Sequence, residues 1–447
     1  MKVTFIVPAI GKKPGQRYIG TWKMEPLTIA VLKALTPPEV ETELFDDRIE
    51  LVDLQARTDL VAIPVETYTA RRAYDLAARF RERGIPVVLG GYHTTLVPQE
   101  AAEHADCVVT GNAEQVWTEL LADAAAGRLK PRYDGGVSPA EGSFDLPPDR
   151  SILAGKKYLP ISLVETGRGC GHFCEFCAIA GYYGAHYHPR SAQAVARDVA
   201  EAPHKTFFLV DDNLIAHREH ILEICRLIQP LKVLWAAQGT LEMAKDPELL
   251  AALKAAGCEL ILVGFESVEP ASLKAMGKRW STALGEREQL VRQIHDAGIG
   301  IYATFVLGYD GDTPETFDAT LEFARRAQFH TAAFNHLLPF PGTRLYTRLE
   351  AEGRLLSPKW WLDSAHSYGQ LAYQPVGMDP GEVAERCRQA RNSFMSPAST
   401  LRRGITAGRR GRLSAWPIYW MMNARIGREV DQKFAVPLGQ NLDEWPK

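Results

Sequence analysis

The chain's 447 residues exceed one ordinary hydrophobic core and set an expectation of roughly two or three domains. Hydrophobic residues make up 46% and charged ones 23%, the balance of a globular chain, and a formal net charge of -3 removes bulk electrostatics as a reason to bind nucleic acid. No run reaches the roughly 18 uncharged apolar residues of a spanning helix, and seven cysteines, three of them between positions 170 and 177, fit a reducing cytoplasm better than a secreted disulfide framework.

The first region, residues 1–136, alternates short apolar runs with amphipathic helical patterns. Its opening resembles a signal peptide, but the apolar run is short and no small-residue cleavage site follows, so it reads as a first buried strand. Strands are expected at Val3–Pro8, Glu41–Asp46, Leu60–Val65, Pro86–Gly90 and Cys107–Thr110, with the clearest helices at Ala70–Arg83 and Glu114–Ala126. That order predicts a doubly wound parallel sheet with ligands at the carboxyl ends of its strands. Residues 137–156 are a Gly/Pro/Ser-rich linker.

The second region, residues 157–348, repeats strand and helix six times. Strands are expected at Ile161–Thr166, Thr206–Asp211, Val233–Gln238, Leu260–Gly264, Gly300–Leu307 and Thr331–Leu337. Six such units predict a curved, partly closed barrel with its site on the carboxyl-end loops. The third region, residues 349–447, is expected to be mostly helical.

The decisive segment is Glu165–Ala178, ETGRGCGHFCEFCA, in the loop after the barrel's first strand. Cys170, Cys174 and Cys177 have the spacing C-x3-C-x2-C. Three thiolates on one short loop can hold three irons of a cubane cluster, whereas most clusters use four cysteines; the fourth iron is then open to a ligand. A zinc site of Cys174 and Cys177 with His186 or His188 is the competing reading, and it leaves Cys170 idle. Cys107, Cys225, Cys258 and Cys387 sit in apolar patterns and read as core thiols.

This spacing, with Phe176 before the last cysteine, resembles the motif of the radical S-adenosylmethionine (SAM) superfamily. The resemblance implies a partial (β/α)6 barrel, a 4Fe-4S cluster on the three cysteines, and SAM chelated at the open iron. It implies reductive cleavage of SAM to a 5′-deoxyadenosyl radical, with electrons from a donor such as flavodoxin or ferredoxin. Further segments are similar to the superfamily: Phe208–Asn213 (FLVDDN), Gly264–Ser267 (GFES), Leu273–Lys278, Phe305–Thr313 and Leu338–Tyr346. They nominate Asp211, Asp212, Gln238, Gly264, Glu266 and Ser267 as contacts to SAM or substrate, although acidic residues that close a strand often only cap the next helix. Arg190 is either a partner of the SAM carboxylate or a solvated helix-start arginine.

The first region, in turn, resembles the Rossmann-like domain of the cobalamin-binding radical SAM class. The resemblance rests on VLGGYHTTLVPQE (Val88–Glu100) and DCVVTGNAE (Asp106–Glu114). It implies that Gly90, Gly91 and Gly111 clear space for a corrin, and that Thr67, Tyr68, His93 and Thr94 line the same edge. No Asp-x-His-x-x-Gly occurs, so the resemblance does not extend to a histidine ligand of cobalt; His93 reads as bonding nearby backbone or the cofactor tail. A domain that has lost its corrin remains an alternative.

The expected function is C-methylation of an unactivated carbon of a small molecule, lipid-like or a natural-product intermediate. Ring formation or rearrangement without methyl transfer is the rival, and RNA modification is disfavoured by the single N-terminal cysteine. The tail joins an arginine-rich stretch, Arg402 to Arg412, to SAWPIYWMMNARIG. Packing on the barrel with solvated arginines is the preferred reading, and peripheral membrane contact the alternative.

Overall fold

The computed structural model describes residues 1–139, 143–410 and 416–444. The first sheet contains β1 (Lys2–Val7), β2 (Glu41–Asp46), β3 (Leu60–Pro64), β4 (Val87–Gly90), β5 (Cys107–Thr110) and β6 (Arg132–Asp134). All neighbours are parallel, in the order β2-β1-β3-β4-β5-β6. β1, β3, β4 and β5 are apolar along almost their whole length because helices cover both faces. The chain reverses its direction of travel between β1 and β3, and the loops diverging there open a crevice at the strand ends. Five strands match the expected runs; β6, a three-residue edge strand, was not expected.

The second sheet is formed by β7 (Ser162–Glu165), β10 (Thr206–Val210), β11 (Leu234–Gly239), β12 (Cys258–Glu266), β13 (Gly300–Leu307) and β14 (Thr331–His336). These strands are parallel and pair in simple chain order, and β7 and β14 are the two edges, so the barrel is open. Between β7 and β10 the chain makes a small antiparallel hairpin, β8 (Gly167–Gly169) and β9 (Tyr187–Pro189), unmarked by any apolar alternation. The predicted core thiols Cys107, Cys225, Cys258 and Cys387 are all buried.

Beyond the barrel come helices Pro380–Phe394, Pro397–Arg410 and Trp416–Lys433 and a two-strand pairing of β15 (Ser367–Tyr368) with β16 (Val436–Pro437). Arg412 and part of the linker lie outside the described residues. Among the described residues no helix is long and apolar enough to cross a membrane. The third region completes the first domain's core: Trp360, Trp361, Ala372 and Leu438 pack with Val61, Ile63, Leu76 and Leu89.

Glu100 anchors that union. Its Oε1 accepts hydrogen bonds from Trp361 Nε1 (2.8 Å) and Tyr74 Oη (3.1 Å) and lies 3.2 Å from His93 Nε2, while Lys359 Nζ is 3.3 Å from Oε2. Burial pushes the Glu100 carboxyl up, but bonds from His93 and Trp361 and the charges of His93 and Lys359 outweigh it and hold it at about 2. Since the folded value lies below the ordinary 4.5, the stabilisation is complete above that pH and is lost as pH falls toward 2. The shift corresponds to about 3 kcal/mol. Glu100→Gln is therefore expected to lower stability by a few kcal/mol at neutral pH and to flatten its dependence below pH ~4.5; denaturant unfolding across pH measures both. A wild-type-like acid limb in the variant would refute this account.

Candidate active site

The cysteine loop follows β8 and ends where Cys177 caps the helix Ala178–Tyr183. Its foundation is the end of β10. Asp211 accepts hydrogen bonds from the Thr166 and Tyr187 hydroxyls, the latter at 2.8 Å, and Asp212 accepts from Gly169 N–H at 2.8 Å. The two carboxylates thus fasten the β8–β9 hairpin beneath the loop. Burial raises Asp211 to about 7 and Asp212 to about 6. Gln238 Nε2 donates to the Asp211 carbonyl at 3.0 Å, bringing the end of β11 into the same support.

The loop's other flank rests on β12 and the segment after it. Glu175 N–H donates to the Met276 carbonyl (3.0 Å), and a side chain on Gly277 (φ 76°) would crowd the Phe173 carbonyl. Lys278 Nζ donates to Glu266 Oε1 (2.7 Å) and to the Gly264 carbonyl (2.8 Å). Glu266 holds a left-handed φ of 60° at a β-bulge, which aims its carboxylate back over Gly264. A Cβ on Gly264 would overlap that carboxylate, so here the glycine makes room for the ion pair. Ser267 is fully buried and its Oγ accepts from Glu269 N–H. His172 stacks on Trp280 with ring centroids 3.8 Å apart, and Arg348 Nε binds Glu175 at 2.8 Å.

The three thiols are free and partly buried. Burial raises all three, Cys174 to about 12. Opposing this, the backbone amide of His172 favours the Cys170 thiolate, those of Ile179 and Ala180 favour the Cys177 thiolate, and the Lys278 ammonium acts on Cys170 and Cys174. Donors and a cation turned toward three clustered sulfurs fit a group that takes them as thiolates. Among the described residues no group of three or more His, Cys, Asp and Glu side chains is gathered to hold a single metal ion.

Arg190 departs from the expectation of a solvated arginine. It is buried, donates to Asp198 Oδ2 (3.0 Å) and lies within a shared network with Arg150. It braces β7 against the following helix and is not solvated.

Arg168, in β8, joins the two domains. Its guanidinium binds Glu165 (2.7 Å), Asn112 (2.8 Å) and Glu114 (2.6 Å), the last two from the loop after β5. Burial disfavours its charge, but the Glu165 and Glu114 carboxylates outweigh that and keep it firmly protonated. Sequence reading missed this residue; its spacing to Glu165 was visible, but its partners in the first domain were not.

In the first domain His93 is wholly buried, with Nδ1 3.2 Å from Thr67 Oγ1 and Nε2 against Glu100, so it presents no free nitrogen to a ligand. Thr94 is buried and donates to the Gly90 carbonyl. Gly91 (φ 95°) would press a Cβ on the Val65 backbone, and one on Gly111 (φ 75°) would overlap Gly136. These two glycines serve backbone packing. Gly90 keeps ordinary clearance, with Val109 at 3.7 Å. Tyr68, just past β3, packs its ring against Phe340, Trp360 and Tyr368. It and Phe176 of the cysteine loop line one cavity of about 290 Å³, with Phe334, His336, Tyr368 and Arg391 on its other walls.

A parallel domain ahead of an open (β/α)6 barrel, with three clustered thiols at the barrel's mouth, defines the architecture of a radical SAM enzyme. Residues 164–324 match the radical SAM superfamily. Bacteriochlorophyllide d C-8(2)-methyltransferase of Chlorobaculum tepidum is 30% identical over 363 residues, covering 75% of this chain and 78% of that protein. Hopanoid C-2 methylase of Rhodopseudomonas palustris is 28% identical over 353 residues, covering 74% and 66%. The structure of the radical SAM methyltransferase TsrM from Kitasatospora setae, determined with cobalamin and a [4Fe-4S] cluster, superposes with a TM-score of 0.67 over 96% of this chain and 100% of that one, at 18% identity. The chain belongs to the radical SAM superfamily.

Proposed function

We propose that this enzyme is a cobalamin-dependent radical C-methyltransferase acting on an unactivated carbon of a small molecule. The observation that carries the reading is a cavity lined jointly by Tyr68 of the first domain and Phe176 of the cysteine loop. Domain interfaces of this kind are common ligand sites. Similarity to two carbon methyltransferases supports the same reading.

Cys170, Cys174 and Cys177 would hold a 4Fe-4S cluster, and the strand ends at Gly264–Ser267 and Asp212 would flank SAM. The first domain would bind cobalamin over Gly90 and Tyr68 with no imidazole from His93. When bound, these groups supply a substrate radical and a methyl donor; the chain supplies placement. Lys278 balances charge beside the thiolates, and Tyr68, Phe176 and Phe334 keep water from the reacting carbon. Arg388, Arg391 and Lys433 are the cations on the aromatic cavity, so a substrate with an apolar body and a carboxylate or phosphate fits it best. An external one-electron donor completes the cycle.

The test is anaerobic reconstitution with iron, sulfide and hydroxocobalamin, followed by assay with SAM, a reductant and tetrapyrrole or polycyclic-terpenoid acceptors. Corrin binding by absorption, with equal yields of S-adenosylhomocysteine and 5′-deoxyadenosine, is expected. Formation of 5′-deoxyadenosine alone on a turned-over acceptor would point to radical chemistry without methylation; failure to retain corrin would make the first domain a degenerate one.

A further inference from the structure

The face of the barrel opposite the cysteine loop carries a feature that methyl transfer does not use. Helices Pro397–Arg410 and Trp416–Lys433 pair as a hairpin across the amino ends of the barrel strands. Their inner side is firmly anchored. Arg403, buried, donates to the carbonyls of His330 (2.7 Å) and Phe394 (3.0 Å), and Tyr419 Oη donates to the Thr400 carbonyl (2.8 Å). Asn423 accepts from Arg403, and Gly404 permits contact with Trp420 and Tyr419. The expectation that these arginines are solvated thus fails at Arg403.

The outer side is apolar. Leu401 (54% exposed), Ile405 (44%), Trp416 (38%), Ile418 (37%) and Met421 (65%) are five of the twelve large hydrophobic side chains exposed among the described residues. Leu401 and Ile405 stand one helical turn apart, as do Ile418 and Met421, so each helix offers a stripe. Scattered exposed apolar residues are ordinary, but concentrated ones mark contact surfaces. Between them and the barrel floor an apolar cavity of about 310 Å³ is lined by Trp416, Ile418, Tyr419 and Met422 together with Phe207 and Trp235.

Charge identifies the occupant. From Pro397 to Arg428 the sequence has seven arginines and no acidic residue, in a chain of net charge -3. Arg402 and Arg428 are exposed beside the apolar stripes, and Arg425 is half-exposed with Glu429 at 3.4 Å. An apolar face fringed by guanidinium groups matches acyl chains beneath anionic headgroups. We propose that this hairpin is a docking surface for an anionic lipid bilayer. Ile418, Met421, Leu401 and Ile405 enter the acyl boundary, and Arg402 and Arg428 meet the headgroups. The cysteine loop then faces away from the lipid, open to its electron donor.

Co-sedimentation of the full chain with vesicles tests this without any cofactor. Binding is expected to phosphatidylcholine vesicles containing phosphatidylglycerol, with little to phosphatidylcholine alone, and it is expected to weaken at high salt. Arg402→Gln and Arg428→Gln should each weaken it about fivefold, and Ile418→Glu with Met421→Glu should abolish it while the melting temperature and far-ultraviolet spectrum stay as in wild type. Should that double variant unfold, Ile418→Ser alone, expected to weaken binding at unchanged fold, replaces it. The proposal is overturned if neither vesicle binds, or if binding ignores these substitutions. It is also overturned if sedimentation shows a dimer that the same substitutions dissociate, since the patch would then belong to a second copy of the chain.

Discussion

Cys174→Ser is expected to yield a folded chain that retains no cluster and cleaves no detectable SAM. Cys174 lies in the middle of the loop, and burial, reinforced by the neighbouring Cys177, Glu266 and Cys170, holds its thiol up at about 12. Only a ligand that takes the sulfur as thiolate repays that cost, and a serine hydroxyl at the same place is far less acidic and far poorer toward iron. With three protein ligands and none in reserve, loss of one leaves a cluster on two. Iron and sulfide content, the visible absorption of the reconstituted chain and 5′-deoxyadenosine formation measure the outcome. Cys225→Ser is the control: that thiol is buried between barrel helices and is expected to cost stability but no iron. Equal iron retention in Cys174→Ser and wild type would end the assignment of the loop. Because burial raises all three thiols, loading releases protons and is expected to tighten as pH rises.

The second large effect is expected at Arg168. Arg168→Ala removes the only cation described between Glu114 and Glu165 and leaves two little-exposed carboxylates and Asn112 without their shared donor. Breaking a buried pair from one side costs about 3–5 kcal/mol, most of it from the stranded charges. Arg168→Lys is not expected to restore it, because one ammonium cannot reach three acceptors in the guanidinium's planar arrangement. Glu114→Gln combined with Arg168→Ala should recover part of the loss, a coupling that denaturant unfolding of the single and double variants would quantify. The functional signature is separate: SAM cleavage should survive better than methyl transfer, because the clasp sets how the first domain sits on the loop. Additive single and double variants would show that Arg168 and Glu114 do not work as a pair.

Most strands of both sheets were legible because a parallel strand covered on both faces is a continuous apolar run, and LVAIP or TFFLV admits few other readings. β6 and the β8–β9 hairpin were not, since each is three residues long and is placed by partners elsewhere: Thr110 for β6 and the Asp211 carboxylate for the hairpin. The three cysteines stand out in the sequence by their spacing alone. The glycines were legible as positions that exclude a side chain, but the cause was not; Gly91 and Gly111 yield to Val65 and Gly136, whose proximity only the fold creates. Arg190 and Arg168 were misread or missed for one reason. A buried arginine is defined by its partners, and two of Arg168's three lie more than fifty residues away in sequence.

Trp360 and Trp361, which the chain delivers to the first domain after traversing the barrel, make the enzyme a closed circuit. The amino-terminal lobe reaches its finished surface only when residues from the far end have arrived. Grafting that lobe onto another barrel would therefore leave its core uncovered unless the tryptophan segment travelled with it.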